Sequence, residues 1–87
     1  MRKQYAQILK AFFCENISRE RYALGLSQEE MAGRLSMAWR TYIDLEHGKT
    51  GCSAVTLALF LIYICSEPAI FLKALRHAFE ATDNEAA

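Results

Sequence analysis

Four neighbouring side chains carry the polar and aromatic groups of the chain that are best suited to recognition chemistry. The guanidinium of Arg40 can bond guanine O6 and N7 together, and the carboxylate of Asp44 can accept from cytosine N4. Thr41 adds a hydroxyl group, and the ring of Trp39 can meet the methyl group of thymine. These groups make base recognition the first chemistry to consider.

A short helix is predicted just before these residues, at about residues 28–35. Ser27 is a favourable N-cap, and Glu30 stands where its side chain can close a capping box. Apolar residues then recur at helical spacing. They are Met31, Ala32 and Leu35.

A second helix is predicted at about residues 38–47, where it must present the polar groups. Its apolar set is Ala38, Tyr42 and Leu45, and Gly48 supplies the stop. At about 100° per residue, the opposite face is polar with one aliphatic residue, and Trp39 lies at its rim. That outward face holds Arg40, Ile43, Asp44 and His47. The apolar pair Trp39 and Ile43 can meet DNA, meet a protein or pack against the following loop.

This pattern resembles the helix-turn-helix of the phage Cro and lambda-repressor family, also called XRE-type. The matching residues are Ser27-Gln28-Glu29-Glu30-Met31-Ala32, Leu35, Tyr42, Leu45-Glu46 and Gly48-Lys49-Thr50. The resemblance covers residues 17–64. The family usually has glycine at Ser36, serine or threonine at Ala38, and proline at Cys52.

The resemblance implies an all-α lambda-repressor-like fold that binds double-stranded DNA. It implies that Gln28 bonds a DNA phosphate and braces the recognition helix, and that His47, Lys49 and Thr50 reach phosphates. It also implies a structural pair between an internal arginine and glutamate. In this chain they correspond to Arg21 and Glu46.

Helices are also predicted on both sides of the motif. One long first helix, without proline or glycine before Gly25, includes an extension at residues 2–12. A fourth helix is expected at about residues 54–64 and a fifth at about residues 67–81, followed by a disordered tail at residues 82–87. The apolar residues of the last two helices are expected in the core rather than around a ligand. They are Leu57, Phe60, Leu61, Ile64, Phe71, Leu72 and Leu75.

Length and charge are consistent with one five-helix domain, and dimerisation would let this domain bury more apolar surface. The chain has 87 residues, of which 53% are hydrophobic, and its formal net charge is zero. Residues 1–40 carry seven Lys or Arg against four Asp or Glu, so a local basic face remains possible. The expected homodimer interface is the apolar series Phe71, Leu75 and Phe79 of the last helix or the extension around Ile8 and Phe12 of the first helix, and the sequence does not decide between them.

Other classes of protein receive little support from the residue pattern. Three unpaired cysteines and two histidines predict neither a disulfide framework nor a metal site, and Cys65 is expected to be buried. The sequence shows no glycine-rich phosphate-binding loop and no nucleophile with a nearby base. It therefore predicts neither an enzyme nor a cofactor. No apolar run reaches the roughly 20 residues of a membrane span. These features favour a cytoplasmic protein.

The sequence therefore predicts a sequence-specific DNA-binding transcriptional regulator, a repressor of phage or mobile-element type that acts as a dimer on a palindromic operator, with two alternatives. The first is the antitoxin of a toxin–antitoxin pair, with apolar surface outside the motif bound to a protein partner such as a toxin or antirepressor. The second is a protein-interaction module that has kept the fold and lost DNA binding. Zero net charge, the Trp39/Ile43 pair and Asp44 favour the second alternative.

Overall fold

The computed structural model describes residues 2–86, with side chains for residues 2–81, and five α-helices lie within this range. No strand occurs among the described residues, so the predicted all-α class is confirmed. The helices are α1 (Arg2–Leu24), α2 (Gln28–Arg34), α3 (Trp39–Glu46), α4 (Ala54–Leu59) and α5 (Pro68–Ala86). A π-helical turn, Phe60–Ile64, directly continues α4.

The helix ends follow local signals at most positions. Ser53 caps α4 by accepting a hydrogen bond from the Thr56 backbone N–H at 3.1 Å. The predicted fourth helix contains two geometries, because its second half is π-helical. The fifth helix continues to Ala86, past the predicted end at residue 81, and Ala87 lies outside the described residues.

Aromatic rings from three elements form the centre of the core. The Phe13 ring centroid of α1 lies 5.1 Å from that of Phe60, which lies 5.3 Å from that of Phe71 on α5. Such tilted and edge-on pairs are favourable and bury large apolar areas. The other buried apolar residues are Ile17, Met31, Ala32, Leu35, Tyr42, Leu45, Ile64 and Leu75.

The predicted core is confirmed at some positions and wrong at others. Four of its members are buried: Phe60, Ile64, Phe71 and Leu75. Leu57 and Leu61 are partly buried. Leu72 is 49% exposed, because it follows the buried Phe71 by about 100° around α5. Cys65, expected to be buried, is only half-buried.

Four of the residues expected at a dimer interface make packing contacts within the chain. Phe71 and Leu75 belong to the core, and the Phe12 ring of α1 lies edge-on to Phe71 at 5.1 Å. Phe79 makes a similar contact with Tyr5, at 4.9 Å. The α1 extension thus gains its packing partner from α5 of the same chain. No described helix is long and apolar enough to cross a membrane.

Candidate nucleic-acid interface

The N-terminus of α2 is held by a reciprocal capping box, as predicted. The Ser27 hydroxyl accepts from the Glu30 backbone N–H at 3.1 Å, and the Glu30 carboxylate accepts from the Ser27 backbone N–H at 2.9 Å. Hydrogen bonds from the Ser27 backbone and side chain lower the pKa of Glu30. Gln28 therefore begins a well-defined helical turn.

A tight turn joins α2 to α3. The backbone N–H groups of Leu35 and Met37 both donate to the Ala32 carbonyl, at 3.2 Å and 3.0 Å. Ser36 between them has a φ of 55°, in the left-handed region that favours glycine. Glycine is usual at this position in the family that the sequence resembles, and it would adopt this backbone conformation without the steric penalty of a Cβ.

Two buried side chains anchor α3 to the rest of the protein. Tyr42 is fully buried and Leu45 is 4% exposed, as the apolar pattern predicted. Ala38, expected on the same face, is exposed because it is the N-cap, with extended backbone angles, rather than part of the helix. No side chain caps this end of α3.

The predicted base-reading residues differ in exposure. Trp39 is 52% exposed, and Arg40 and Thr41 beside it are exposed in the first turn of α3. Asp44 and Ile43 are half-buried in the second turn. The first turn of α3 is therefore its most accessible part.

The predicted phosphate-contacting residues occupy both ends of the motif. His47, Lys49 and Thr50 are exposed where α3 ends, whereas Gln28 is half-buried at the start of α2. The Lys49 backbone N–H donates to the Asp44 carbonyl at 2.9 Å, which holds the loop against the helix end. No ion pair of Lys49 is formed with another described residue.

A buried ion pair connects α1 with α3. Arg21 donates from Nε to Glu46 Oε2 at 2.9 Å and from Nη2 to Glu46 Oε1 at 2.8 Å. The two side chains are only 10% and 7% exposed. The pair that the resemblance implied is thus confirmed in bidentate form.

Two further contacts extend this pair to the start of α2. Arg21 Nη1 donates to the Leu26 carbonyl at 3.0 Å, and Gln28 Nε2 lies 3.4 Å from Glu46 Oε1. Burial raises the pKa of Glu46, but the hydrogen bonds and charge of Arg21 outweigh it and leave that pKa below its ordinary value. The carboxylate therefore stays ionised and connects three helices.

Two features of the site have no counterpart in the sequence analysis. The hydroxyl group of Tyr42 is buried with no hydrogen-bond partner among the described residues, and burial raises its pKa. Cys14 of α1 packs under the loop after α3, since a Cβ at Gly48 would lie 3.3 Å from its Sγ. The φ of 74° at Gly48 gives glycine a second advantage there. Neither the buried hydroxyl group nor the packing of Cys14 against Gly48 could be predicted from local sequence, because both depend on how distant segments pack.

Comparison with protein-family models, curated proteins and solved structures gave no match. The geometry of α2, the turn and α3 is therefore the basis for a functional assignment. Among the described residues, no group of three histidine, cysteine or acidic side chains is arranged to hold a metal ion.

Proposed function

We propose that the protein is a sequence-specific DNA-binding transcriptional regulator in which α2, the turn and α3 form a helix-turn-helix. The observation that carries this proposal is the network of Arg21, Glu46 and Gln28. It braces the end of α3 against α1 and α2, while Arg40 and Thr41 in the first turn of α3 stay exposed. A helix that recognises bases must be held in a fixed orientation, and the polar side chains at its N-terminal end must be exposed.

The dimensions of α3 suit the major groove of B-DNA. Its eight residues span about 12 Å at a rise of about 1.5 Å per residue. A helix with its side chains is about 10 to 12 Å across, close to the groove width of about 12 Å. The accessible first turn can therefore reach base edges while Tyr42 and Leu45 remain in the core.

Each exposed group has a distinct role in this proposal. Arg40 reads guanine, Thr41 bonds a base edge and Trp39 contacts a thymine methyl group. Asp44, half-buried one turn further on, accepts from cytosine and discriminates against bases that present an acceptor. These contacts decide the preferred sequence.

The remaining predicted contacts fix the protein on the DNA backbone. Gln28 at the start of α2 and His47, Lys49 and Thr50 after α3 bond phosphate oxygens, which positions α3 without selecting a sequence. Occupation of an operator then blocks RNA polymerase or recruits it.

A salt titration of binding to random duplex DNA tests the proposal. Phosphate contacts release counterions, so the logarithm of the binding constant falls linearly with the logarithm of salt concentration. We expect a steep slope, followed by enrichment of one motif when sites are selected from a random pool. If neither the steep slope nor an enriched motif is observed, the protein-interaction module is the interpretation that remains.

A specific observation favours an antitoxin as the second candidate. Apolar side chains outside the motif remain exposed: Val55 is 68% exposed, Ile62 67%, Tyr63 71% and Ile70 61%. Exposed apolar surface marks protein contacts. An antitoxin would use this surface for its toxin and still bind DNA through α3, so co-purification of a chain from the same operon distinguishes it from a simple repressor.

A further inference from the structure

A shallow cleft of about 240 Å³ separates the N-terminal half of α1 from the loop after α3. Lys3, Ala6, Gln7 and Lys10 of α1 form one wall, and Gly51 of the loop forms the other. Three of these positions, Lys3, Gln7 and Lys10, follow the spacing of a single helix face. Two cations and an amide thus line one side of the cleft.

One charge of this wall, that of Lys3, lies in the first turn of α1 and opposes the helix dipole. Cations are unfavourable near a helix N-terminus, where the partial charge is positive. The first turn of α1 nevertheless contains no acidic residue, and the first acidic residue of the chain is Glu15. Neither Lys3 nor Lys10 forms an ion pair with a described residue. An anion from outside the chain would relieve this arrangement.

The cleft adjoins the proposed DNA interface along the chain. Gly51 is two residues after Lys49 and directly follows Thr50. A Cβ built at Gly51 would meet nothing within 4 Å, so open space lies above that residue. Ala6 in the opposite wall also has a small side chain, which leaves room for a nucleic-acid strand to approach.

We propose that Lys3, Gln7 and Lys10 form a second phosphate-binding track, which holds the backbone of duplex DNA outside the bases read by α3. This inference rests on the proposed function and names an additional surface for the same ligand. Seven residues of helix separate the two lysines by about 10 Å, at a rise of about 1.5 Å per residue. That distance exceeds the spacing of about 3.4 Å, measured along the helix axis, between successive phosphates of one DNA strand. The two ammonium groups therefore contact different phosphates.

The test compares Lys3→Gln/Lys10→Gln with Lys73→Gln, an exposed lysine of α5 that does not line the cleft. Binding to a long random duplex is titrated with salt for each variant and for the wild type. Loss of two phosphate contacts should flatten the log–log slope by about 1.8, at about 0.9 per phosphate. Lys73→Gln should keep the wild-type slope.

Two further measurements separate this track from the reading surface. The motif selected from a random pool should be the same for the double variant and the wild type, because phosphate contacts carry no sequence information. The difference in slope should disappear on a duplex trimmed to the selected motif. Far-UV circular dichroism checks that the substitutions at the exposed Lys3 and the half-buried Lys10 leave the helices intact.

The possible failures are distinguishable. If the wild type and Lys49→Ala bind duplex DNA with different slopes while the double variant matches the wild type, the track is wrong and the proposed function stands. If the wild type binds no duplex DNA at any salt concentration, both proposals are overturned.

Discussion

The guanidinium of Arg21 faces the carboxylate of Glu46 across 25 residues of sequence, with two parallel hydrogen bonds of 2.9 Å and 2.8 Å. Both side chains are almost fully enclosed. A buried ion pair of this geometry contributes little beyond its desolvation cost, yet removal of one partner leaves an unpaired buried charge. The pair therefore makes the orientation of α3 depend on α1.

The first prediction concerns the stability of this pair. Arg21→Ala should lower the free energy of unfolding by about 3 kcal/mol, because the Glu46 carboxylate would remain buried without its donor. Urea denaturation monitored by circular dichroism measures the change. Arg19→Ala is the control, since its ion pair with Glu15 is exposed and should contribute little. Equal stability of the Arg21 and Arg19 variants would contradict the role of the buried pair.

The second prediction is a pH dependence that belongs to Glu46. Its pKa is lowered in the folded protein, so its stabilising effect is complete above the unfolded-state pKa of about 4.3 and is lost as pH falls through the folded-state pKa. Wild type should exceed Glu46→Gln in stability at about pH 7, and the gap should shrink on acidification below about pH 4.

Denaturation at a series of pH values measures this gap. Glu15→Gln serves as the control, because that carboxylate is exposed and its ion pair should contribute little to stability. A gap between wild type and Glu46→Gln that stayed constant from neutral to acidic pH would argue against the assignment.

The third prediction concerns the turn between α2 and α3. Ser36→Gly should stabilise the protein by about 0.5 to 1 kcal/mol. Glycine removes the steric penalty that a Cβ has in the left-handed region, and this gain in free energy exceeds the cost of the added conformational entropy of the unfolded chain. Ser36→Ala tests the cause, since alanine retains the Cβ and should give no gain. Thermal unfolding of both variants is the measurement, and equal effects would remove the backbone explanation.

The fourth prediction separates base reading from phosphate binding. Arg40→Ala should lose about 1 to 3 kcal/mol of discrimination at one operator position, whereas Lys49→Ala should weaken all sequences alike and reduce the salt slope by about one. Selection from a random DNA pool and salt titration of each variant provide the comparison. An unchanged sequence profile for Arg40→Ala would exclude it as a base-reading residue.

The fifth prediction is that the protein acts as a symmetric dimer on a palindromic operator. A single reading helix covers too few base pairs for a specific site, and half-sites about 34 Å apart would match two α3 helices. Since Phe71 and Leu75 are buried in the chain, the interface should use exposed apolar residues such as Val55 and Ile62. Val55 lies in α4, and Ile62 lies in the π-helical turn that continues it.

Analytical ultracentrifugation at micromolar concentration tests the dimer. Ile62→Glu should shift the protein to monomer, and Leu24→Glu, a change at an exposed leucine of α1, should not. Wild-type protein that remains monomeric both alone and on its selected site would make the dimer prediction wrong.

The sequence by itself determined the features that arise from near neighbours. The Ser27 and Glu30 capping box, the apolar face that contains Tyr42 and Leu45, and the stop at Gly48 each depend on residues within a few turns. Interactions of this range are encoded in local spacing, so a pattern of side chains predicts them. The Arg21–Glu46 pair was reached only through the family resemblance, because no local rule connects residues so far apart.

Only the tertiary structure decided how distant segments use the remaining surface. It turned Leu72 outward, buried Phe71 among the rings of Phe13 and Phe60, and placed the α1 extension beside Gly51. Side chains on neighbouring positions of an amphipathic helix compete for the same core, and the outcome depends on which helices pack against it. That choice is a property of the assembled fold, since periodicity identifies an apolar face but not its partner.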